Sequence, residues 1–293
     1  MPVLSLDDIR TALVDAVIAG ARAVLTARRN GELDVRYKDA RELVTEADRQ
    51  SDAAMLAVLH ERVTRLDPSV SLRLEESGAA GAPGRRRIGA DPLDGTSHFA
   101  AGGTMYSVQA HYLEDDVPLA GVVLQPEVFL PLSESDQPVG RLAWAVRGGG
   151  AFVRRVTFSG DAVQLHDIRP IVRRPAPNRP TFVASVPVTT KMAPDERASA
   201  QRVYESGILA ASMGTGNAGG NAMMVIFGGQ DVYANLGAGE ELDLAPPQVI
   251  AEEIGLTVWG PDRRPPMWRV RKQPVVFAPS DDVAERFLQA AGL

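Results

Sequence analysis

Apolar positions recur along this chain with two different periods, and the switches between them outline its elements. Ser5-Leu-Asp-Asp8 has the form of a helix start, a serine with an acid three residues on. Ile9, Leu13, Val17, Ala21 and Val24 then fall on one face of a helix predicted to run to about Arg28. Thr45-Glu-Ala-Asp48 repeats the capping pattern, and Ala54, Met55, Val58, Leu59, Val63 and Leu66 predict the apolar face of a second helix. Val70, Leu72 and Leu74 alternate with polar residues, which predicts a strand ending at Glu75-Glu76. A Pro- and Gly-rich loop over 78–84 and a short strand at Ile88 to Ala90 follow, and that strand runs into Asp91-Pro-Leu-Asp-Gly-Thr96. Strands are predicted over 105–113 and 119–125, around an Asp115-Asp116 turn, and another pair flanks Gly148-Gly-Gly150.

The polar, Pro- and Arg-rich stretch over 159–180 predicts a boundary between two halves, 1–160 and 161–293. Beyond it come a strand at Thr181 to Val186, a helix over 194–206, and a loop at 214–220 opening a helix through Phe227. A strand over Asp231 to Asn235 follows, then a helix after Asp243 running through Glu253 with Pro246 and Pro247 in its first turn. A strand at Val275 to Ala278 and a helix from about Asp281 complete the chain. Helices and strands mixed without strict alternation predict layered α/β packing.

Composition narrows the function classes. With 293 residues, 45% hydrophobic and 23% charged, the chain is long and apolar enough for a large globular core. A net charge of -6 argues against binding to nucleic-acid polymers or anionic membranes. The absence of cysteine excludes disulfides, thiolate metal sites and cysteine nucleophiles. No segment approaches the roughly 20 apolar residues that span a bilayer. The first residues lack a basic start followed by an apolar stretch, so a cytoplasmic location is expected.

Candidate chemistry concentrates in Asp91-Pro-Leu-Asp-Gly-Thr-Ser97. Two carboxylates three apart converge on one point only if the chain turns sharply, and Pro92 and Gly95 supply the turn, Gly95 by accepting positive φ. The bend can also aim the Leu93 carbonyl at that point. Carboxylates and a carbonyl are hard oxygen donors that select magnesium, manganese or calcium. Thr96 and Ser97 would open a helix whose free N–H groups favour a bound phosphate. On spacing alone, an ordinary Asp-rich turn with a capping residue explains the segment equally well.

The chain resembles the inositol monophosphatase superfamily, which includes inositol phosphatases, fructose bisphosphatases and 3′(2′),5′-bisphosphate nucleotidases. The resemblance rests on Asp91 to Thr96 with Phe99, on Glu75-Glu76 upstream, and on Leu43-Val-Thr-Glu-Ala-Asp48 with Lys38 ten residues before Asp48. Gly121 to Pro126, Ala145 to Ala151, Gly228 to Tyr233 and Asp243-Leu-Ala-Pro-Pro continue it in order, over roughly residues 5–255. It implies an α-β-α-β-α sandwich with the site between the two halves. It further implies a Mg2+-dependent phosphatase, using two or three ions with Mn2+ as a possible substitute, acting on a small phosphorylated metabolite as a homodimer. By the same resemblance, Glu75, Asp91, the Leu93 carbonyl, Asp94 and Asp243 are the metal ligands. Glu75 and Thr96 would activate a metal-bound water, with Asp48 and Lys38 in support. Substrate is expected against Gly95, Thr96, Ser97, Gly216, Asn217, Ala218, Asn235 and Asp243. A regulatory protein of the same fold that had lost turnover would be marked by a missing ligand, and all four acids are present.

Two positions depart from the family's pattern. Leu242 stands where the family has a tryptophan before the metal-binding aspartate, and Asn235 stands where inositol phosphatases carry a glutamate that contacts substrate hydroxyls. An acid that only accepts has become an amide that also donates. The neighbouring Glu240-Glu241 pair is expected to face solvent or to bind a substrate amine or hydroxyl.

Overall fold

The computed structural model describes residues 4–31, 35–39, 42–80, 84–129, 137–160, 162–173, 175, 178–188, 192–269 and 272–293. Helix α1 (Leu6–Asn30) opens on the predicted capping box and closes at Gly31 in the left-handed conformation. An antiparallel ribbon of β1 (Arg36–Asp39) and β2 (Glu42–Val44) leads to α2 (Glu46–Leu59), which continues as a π-helical turn at His60–Thr64.

A nine-stranded sheet follows, built from β3 (Val70–Leu74), β4 (Gly78–Ala80), β5 (Arg86–Asp94), β6 (Ser107–Glu114), β7 (Val117–Phe129), β8 (Val139–Val146), β9 (Gly150–Ser159), β10 (Ala162–Leu165) and β11 (Arg169–Pro170). Its order is β10-β9-β8-β7-β6-β5-β3-β4, with β11 also on β9; β3 and β5 run parallel and the other pairs are antiparallel. Short α3 (Thr96–Ala100) sits between β5 and β6. Two predicted loops are partly strand: residues 78–80 pair with β3, and β10 and β11 occupy part of the stretch over 159–180. Gly and Pro composition hid them, because a two- to four-residue edge strand shows too little alternation to register.

The second sheet contains β12 (Phe182–Ser185), β13 (Leu209–Ser212), β14 (Val232–Glu240), β15 (Thr257–Trp259) and β16 (Lys272–Ala278), in the order β13-β12-β14-β16-β15. Its helices are α4 (Pro194–Glu205), α5 (Ala218–Ile226), α6 (Glu241–Glu253) and α7 (Asp281–Ala291).

Three apolar clusters define five layers. Leu13 and Val17 of α1 and Leu59 of α2 pack with Val108, Val122 and Leu124 on one face of the large sheet. Val123 and Ala143 point to the other face and join Met223 and Ile226 of α5, Leu244 and Val249 of α6, and Tyr233 and Phe277 of the small sheet. Ala234 and Val276, on that sheet's far side, meet Val203 of α4 and Phe287 of α7. The α-β-α-β-α sandwich expected from the resemblance is therefore present, and α5 and α6 lie between the sheets.

Candidate active site

Strand β5 carries the acid-rich segment further than the sequence predicts, through Asp94. Its pairing with β6 slips between Asp91, opposite Gln109, and Asp94, opposite Ser107. That irregularity, followed by Gly95 at φ 100°, turns the chain so that both acids face one place. The turn is held by Leu93 N donating to Asp91 Oδ1 at 2.9 Å. Helix α6 supplies the third acid. It begins at Glu241, so Asp243 lies within its first turn rather than before it. One oxygen from each of Asp91, Asp94 and Asp243 lies within 4.8 Å of the others.

Helix α2 ties the surrounding turns together through residues one helical turn apart. Asp48 Oδ2 accepts from Thr45 N at 2.7 Å and Thr45 Oγ1 at 2.6 Å, while its Oδ1 lies 2.8 Å from Thr96 Oγ1. Asp48 thus caps its own helix and reaches the site, reconciling the two roles available to it. Thr96 Oγ1 also lies 3.1 Å from the Leu93 carbonyl, so its single proton has two acceptors and the shorter contact is Asp48. Ser51 Oγ donates to Pro92 O at 2.8 Å, and Asp52 Oδ1 accepts from Glu76 N at 3.1 Å and Ser77 N at 3.3 Å.

Across the site, the N-terminus of α5 holds Asp94. Gly219 N donates to Asp94 Oδ2 at 2.8 Å and Ala218 N to Oδ1 at 3.3 Å, and Ser107 Oγ adds a bond at 3.2 Å. The helix end offers both unpaired N–H groups and a favourable dipole to this carboxylate.

Electrostatically the cluster is under stress. Burial, reinforced by the charges of Glu75, Asp94 and Asp243, pushes the Asp91 carboxyl well above its ordinary range. Burial pushes Asp94 up to about 6 despite its hydrogen bonds from Gly219, Ser107 and Ala218. Asp243 is raised by burial and then by Asp94, Glu240 and Glu75. Burial raises Asp48 too, against the bonds from Thr45 and Thr96. Three carboxylates gathered this way resist ionising together unless positive charge joins them, and hard oxygen donors suit a divalent cation such as magnesium.

A model of the inositol monophosphatase family matches residues 5–291. The chain belongs to that family. Among curated relatives, it is 34% identical over 129 residues to an inositol-1-monophosphatase of Synechocystis, covering 43% of this chain and 44% of the relative. It is 33% identical over 151 residues to a histidinol-phosphatase of Mycobacterium tuberculosis, covering 51% of each. These alignments span about half the length of the curated relatives or less. Among solved structures, an IMPase of Thermotoga maritima superposes with a TM-score of 0.72 at 18% identity, covering 98% of this chain and 96% of the other. An IMPase/NADP phosphatase complexed with Mg2+ and phosphate superposes at 0.66 and 17% identity, covering 92% and 89%. At such identities the structures report the shared fold.

Against the inositol monophosphatase pattern, the remaining expected site residues divide. Glu75 lies exposed on the turn after β3, outside the group of three acids, yet its charge acts on Asp91, Asp94 and Asp243. Lys38 lies on β1, with its side chain outside the described residues. Ser97 is exposed on α3 and Gly216 on the loop before α5. The Asn217 side chain is engaged elsewhere, accepting from Gly220 N at the cap of α5 and donating to Met105 O. Asn235 is half-buried, its Nδ2 donating to Tyr233 Oη at 3.1 Å.

Two expectations need correction. Pro246 and Pro247 stand inside α6 rather than in its first turn, because β14 runs on to Glu240 and the helix starts two residues before Asp243. Glu241 does not face solvent. It is 1% exposed and lies 3.2 Å from His111 Nε2, 3.4 Å from Arg87 Nε and 3.4 Å from Arg73. Burial raises its pKa, but the bond with His111 and the charges of Arg87 and Arg73 hold it at about 2. Glu240 is the more exposed of the pair and meets Lys272 Nζ at 2.6 Å.

Sequence reasoning missed Ser51 and Asp52 of α2, Gln109 of β6 and Tyr233 of β14. Ser51 and Asp52 follow Asp48 by three and four positions, the spacing of one helix face, and that polar face was the available signal. Tyr233 is fully buried, and burial together with the Asp243 charge raises its phenol, which stays protonated.

Proposed function

We propose that this chain is a Mg2+-dependent phosphomonoesterase acting on a small phosphorylated metabolite. The observation that carries the reading is the convergence of Asp91, Asp94 and Asp243 oxygens within 4.8 Å, with Asp91 and Asp94 buried and all three carboxyls raised. Family membership and two phosphatase relatives support it. The donor set fits the metal, since three carboxylates with Glu75 nearby and the Leu93 carbonyl at the turn offer only hard oxygen ligands. Asp91, Asp94, Asp243, Glu75 and the Leu93 carbonyl would hold the two or three ions, with Mn2+ as a substitute.

Bound divalent cations supply charge neutralisation on phosphoryl oxygens and a lowered pKa for water. The chain's own residues supply the rest. With its proton directed to Asp48, the Thr96 hydroxyl presents lone pairs that accept a hydrogen bond from an incoming water, and the proton the water loses would pass through Thr96 as Thr96 gives its own to Asp48. Gly95, in the left-handed conformation, opens α3, and its N–H and that of Thr96 would bind phosphoryl oxygens there. Ser97 is exposed on α3 and Gly216 is exposed against His98 of the same helix, while Asn235 bonds Tyr233, whose buried phenol feels the charges of Asp243 and Asp94. No nucleophilic side chain is required. The expected assembly is a cytoplasmic homodimer without nucleic-acid or membrane partners. Among the described residues no helix is long and apolar enough to cross a membrane.

Release of inorganic phosphate from inositol 1-phosphate, histidinol phosphate, a hexose phosphate and a nucleoside monophosphate tests the reading. Turnover of at least one is expected with Mg2+ and none in excess chelator. Turnover that persists in chelator, or a protein that binds the cation but turns over no phosphomonoester, would refute it.

A further inference from the structure

Gln109 is fully buried, yet neither its Oε1 nor its Nε2 has a hydrogen-bond partner among the described residues. An amide buried this way is costly, and a leucine or methionine of similar volume would fill the same space without that cost. The position explains why an amide sits there. Gln109 lies on β6 directly opposite Asp91 on β5, so the two side chains share one face of the sheet. It also packs over Gly219, the residue whose N–H holds Asp94. A Cβ at Gly219 would lie 2.5 Å from Gln109 Oε1, 2.7 Å from Asp94 Oδ2 and 2.9 Å from Gln109 Nε2. Only a bare backbone lets the amide and the carboxylate crowd onto that point together. Of its neighbours on the same face of β6, Ser107 donates to Asp94, and His111 contacts Glu241 through Nε2 while its Nδ1 has no partner among the described residues. Among the described residues, Gln109 is the member of this polar row whose side chain has no partner on either polar atom, and it sits opposite Asp91 and beside the Gly219 that holds Asp94.

We propose that Gln109 is a positioning residue for the acidic cluster, its amide donating to the Asp91–Asp94 pair once cations are bound. A carboxylate that gives one lone pair to a cation is oriented by donors on its others, and Gln109, paired across the sheet with Asp91, is a spare buried donor. The proposal rests on the cation-binding reading above.

Gln109→Leu and Gln109→Met test it, read by calorimetric titration with Mg2+ and Mn2+ and by the thermal midpoint in chelator. The expected result is a metal affinity weaker by about tenfold, with a metal-free midpoint equal to or above the parent's. A residue serving only to pack the core would give the opposite pair of results. Affinities within about twofold of the parent, well short of the usual effect of losing such a partner, would overturn the proposal. So would weakened binding accompanied in both variants by a lowered metal-free midpoint. A parent protein that binds neither ion would overturn the cation reading itself, and the proposal with it.

Discussion

Replacing Asp91 by asparagine preserves the side chain's shape and the bond from Leu93 N at 2.9 Å, while removing one charge from a group whose oxygens lie within 4.8 Å. At that separation and an effective dielectric of about 20, two ionised carboxylates repel by about 3 kcal/mol. Asp94 gives a second scale: its rise from 3.8 to about 6, caused first by burial, is a cost of about 3 kcal/mol for ionising it in place. Retained protons let the metal-free cluster avoid part of this repulsion, so the relief at pH 8 is smaller, about 1–2 kcal/mol. In a protein of this size that corresponds to a rise of roughly 2–3 °C in the metal-free melting midpoint. The same substitution removes a charged ligand, which should abolish the Mg2+-induced rise in midpoint and cut phosphate release by about a thousandfold or more, at tenfold per 1.36 kcal/mol. Thermal melts of parent and variant in chelator and in Mg2+, with a phosphate-release assay, provide both readouts. A variant that melts below the parent without metal and still gains stability from Mg2+ would show that Asp91 is an ordinary structural acid.

Other expectations follow from the same geometry. Raised carboxyls mean that between pH 3.8 and about 6 the folded metal-free protein holds more protons than the unfolded chain, so the cluster's contribution to stability falls as pH rises through that window. Burial lowers His111, which acts in the opposite sense with or without metal. The stabilisation by Mg2+ should therefore shrink from pH 7 to pH 5, and melts showing a pH-independent increment would contradict this. Thr96→Ala removes the hydroxyl held at 2.8 Å by Asp48 and should lower kcat about a hundredfold with little change in Mg2+ affinity; a kcat near the parent's would take Thr96 out of the chemistry. Asn235→Glu restores an acceptor for ring hydroxyls and should raise kcat/KM for inositol 1-phosphate about tenfold over the parent, the value of a hydrogen bond to a charged group; an unchanged ratio to the other substrates would remove Asn235 from specificity.

How much of this was legible in the sequence depended on how local the determinant is. The turn at Asp91 to Gly95 announces itself because its proline, glycine and paired acids act on one another within five residues, and Gly95 has the positive φ expected of it. The partnership of Asp243 with Asp91 joins helix α6 to a strand of the large sheet far away in sequence and was available only through the family resemblance. The second helix was read as an apolar stripe through Met55 and Leu59, and its opposite service escaped notice: Asp48, Ser51 and Asp52 reach two turns that belong to different strands. Glu241 misled because an acid beside other acids resembles a solvated edge. Its partners Arg73, Arg87 and His111 come from three strands that only the fold gathers. Gln109, within an apolar strand, carried no sequence signal at all.

That gathering around Glu241 has a consequence for assembly. Helix α6 slides into the gap between two sheets, where greasy contacts would tolerate a shift of one residue, 1.5 Å along its axis. An ionic socket does not. A helix seated one step out of place would leave Glu241 as an unpaired charge in the interior, a penalty of several kcal/mol. The quartet therefore works as an indexing pin. Apolar replacements could leave the fold equally stable while allowing the helix several resting places. With the pin engaged two residues upstream, Asp243 arrives against Asp91 in a single register, and a chain that docks wrongly fails to settle rather than settling into a plausible but inert form.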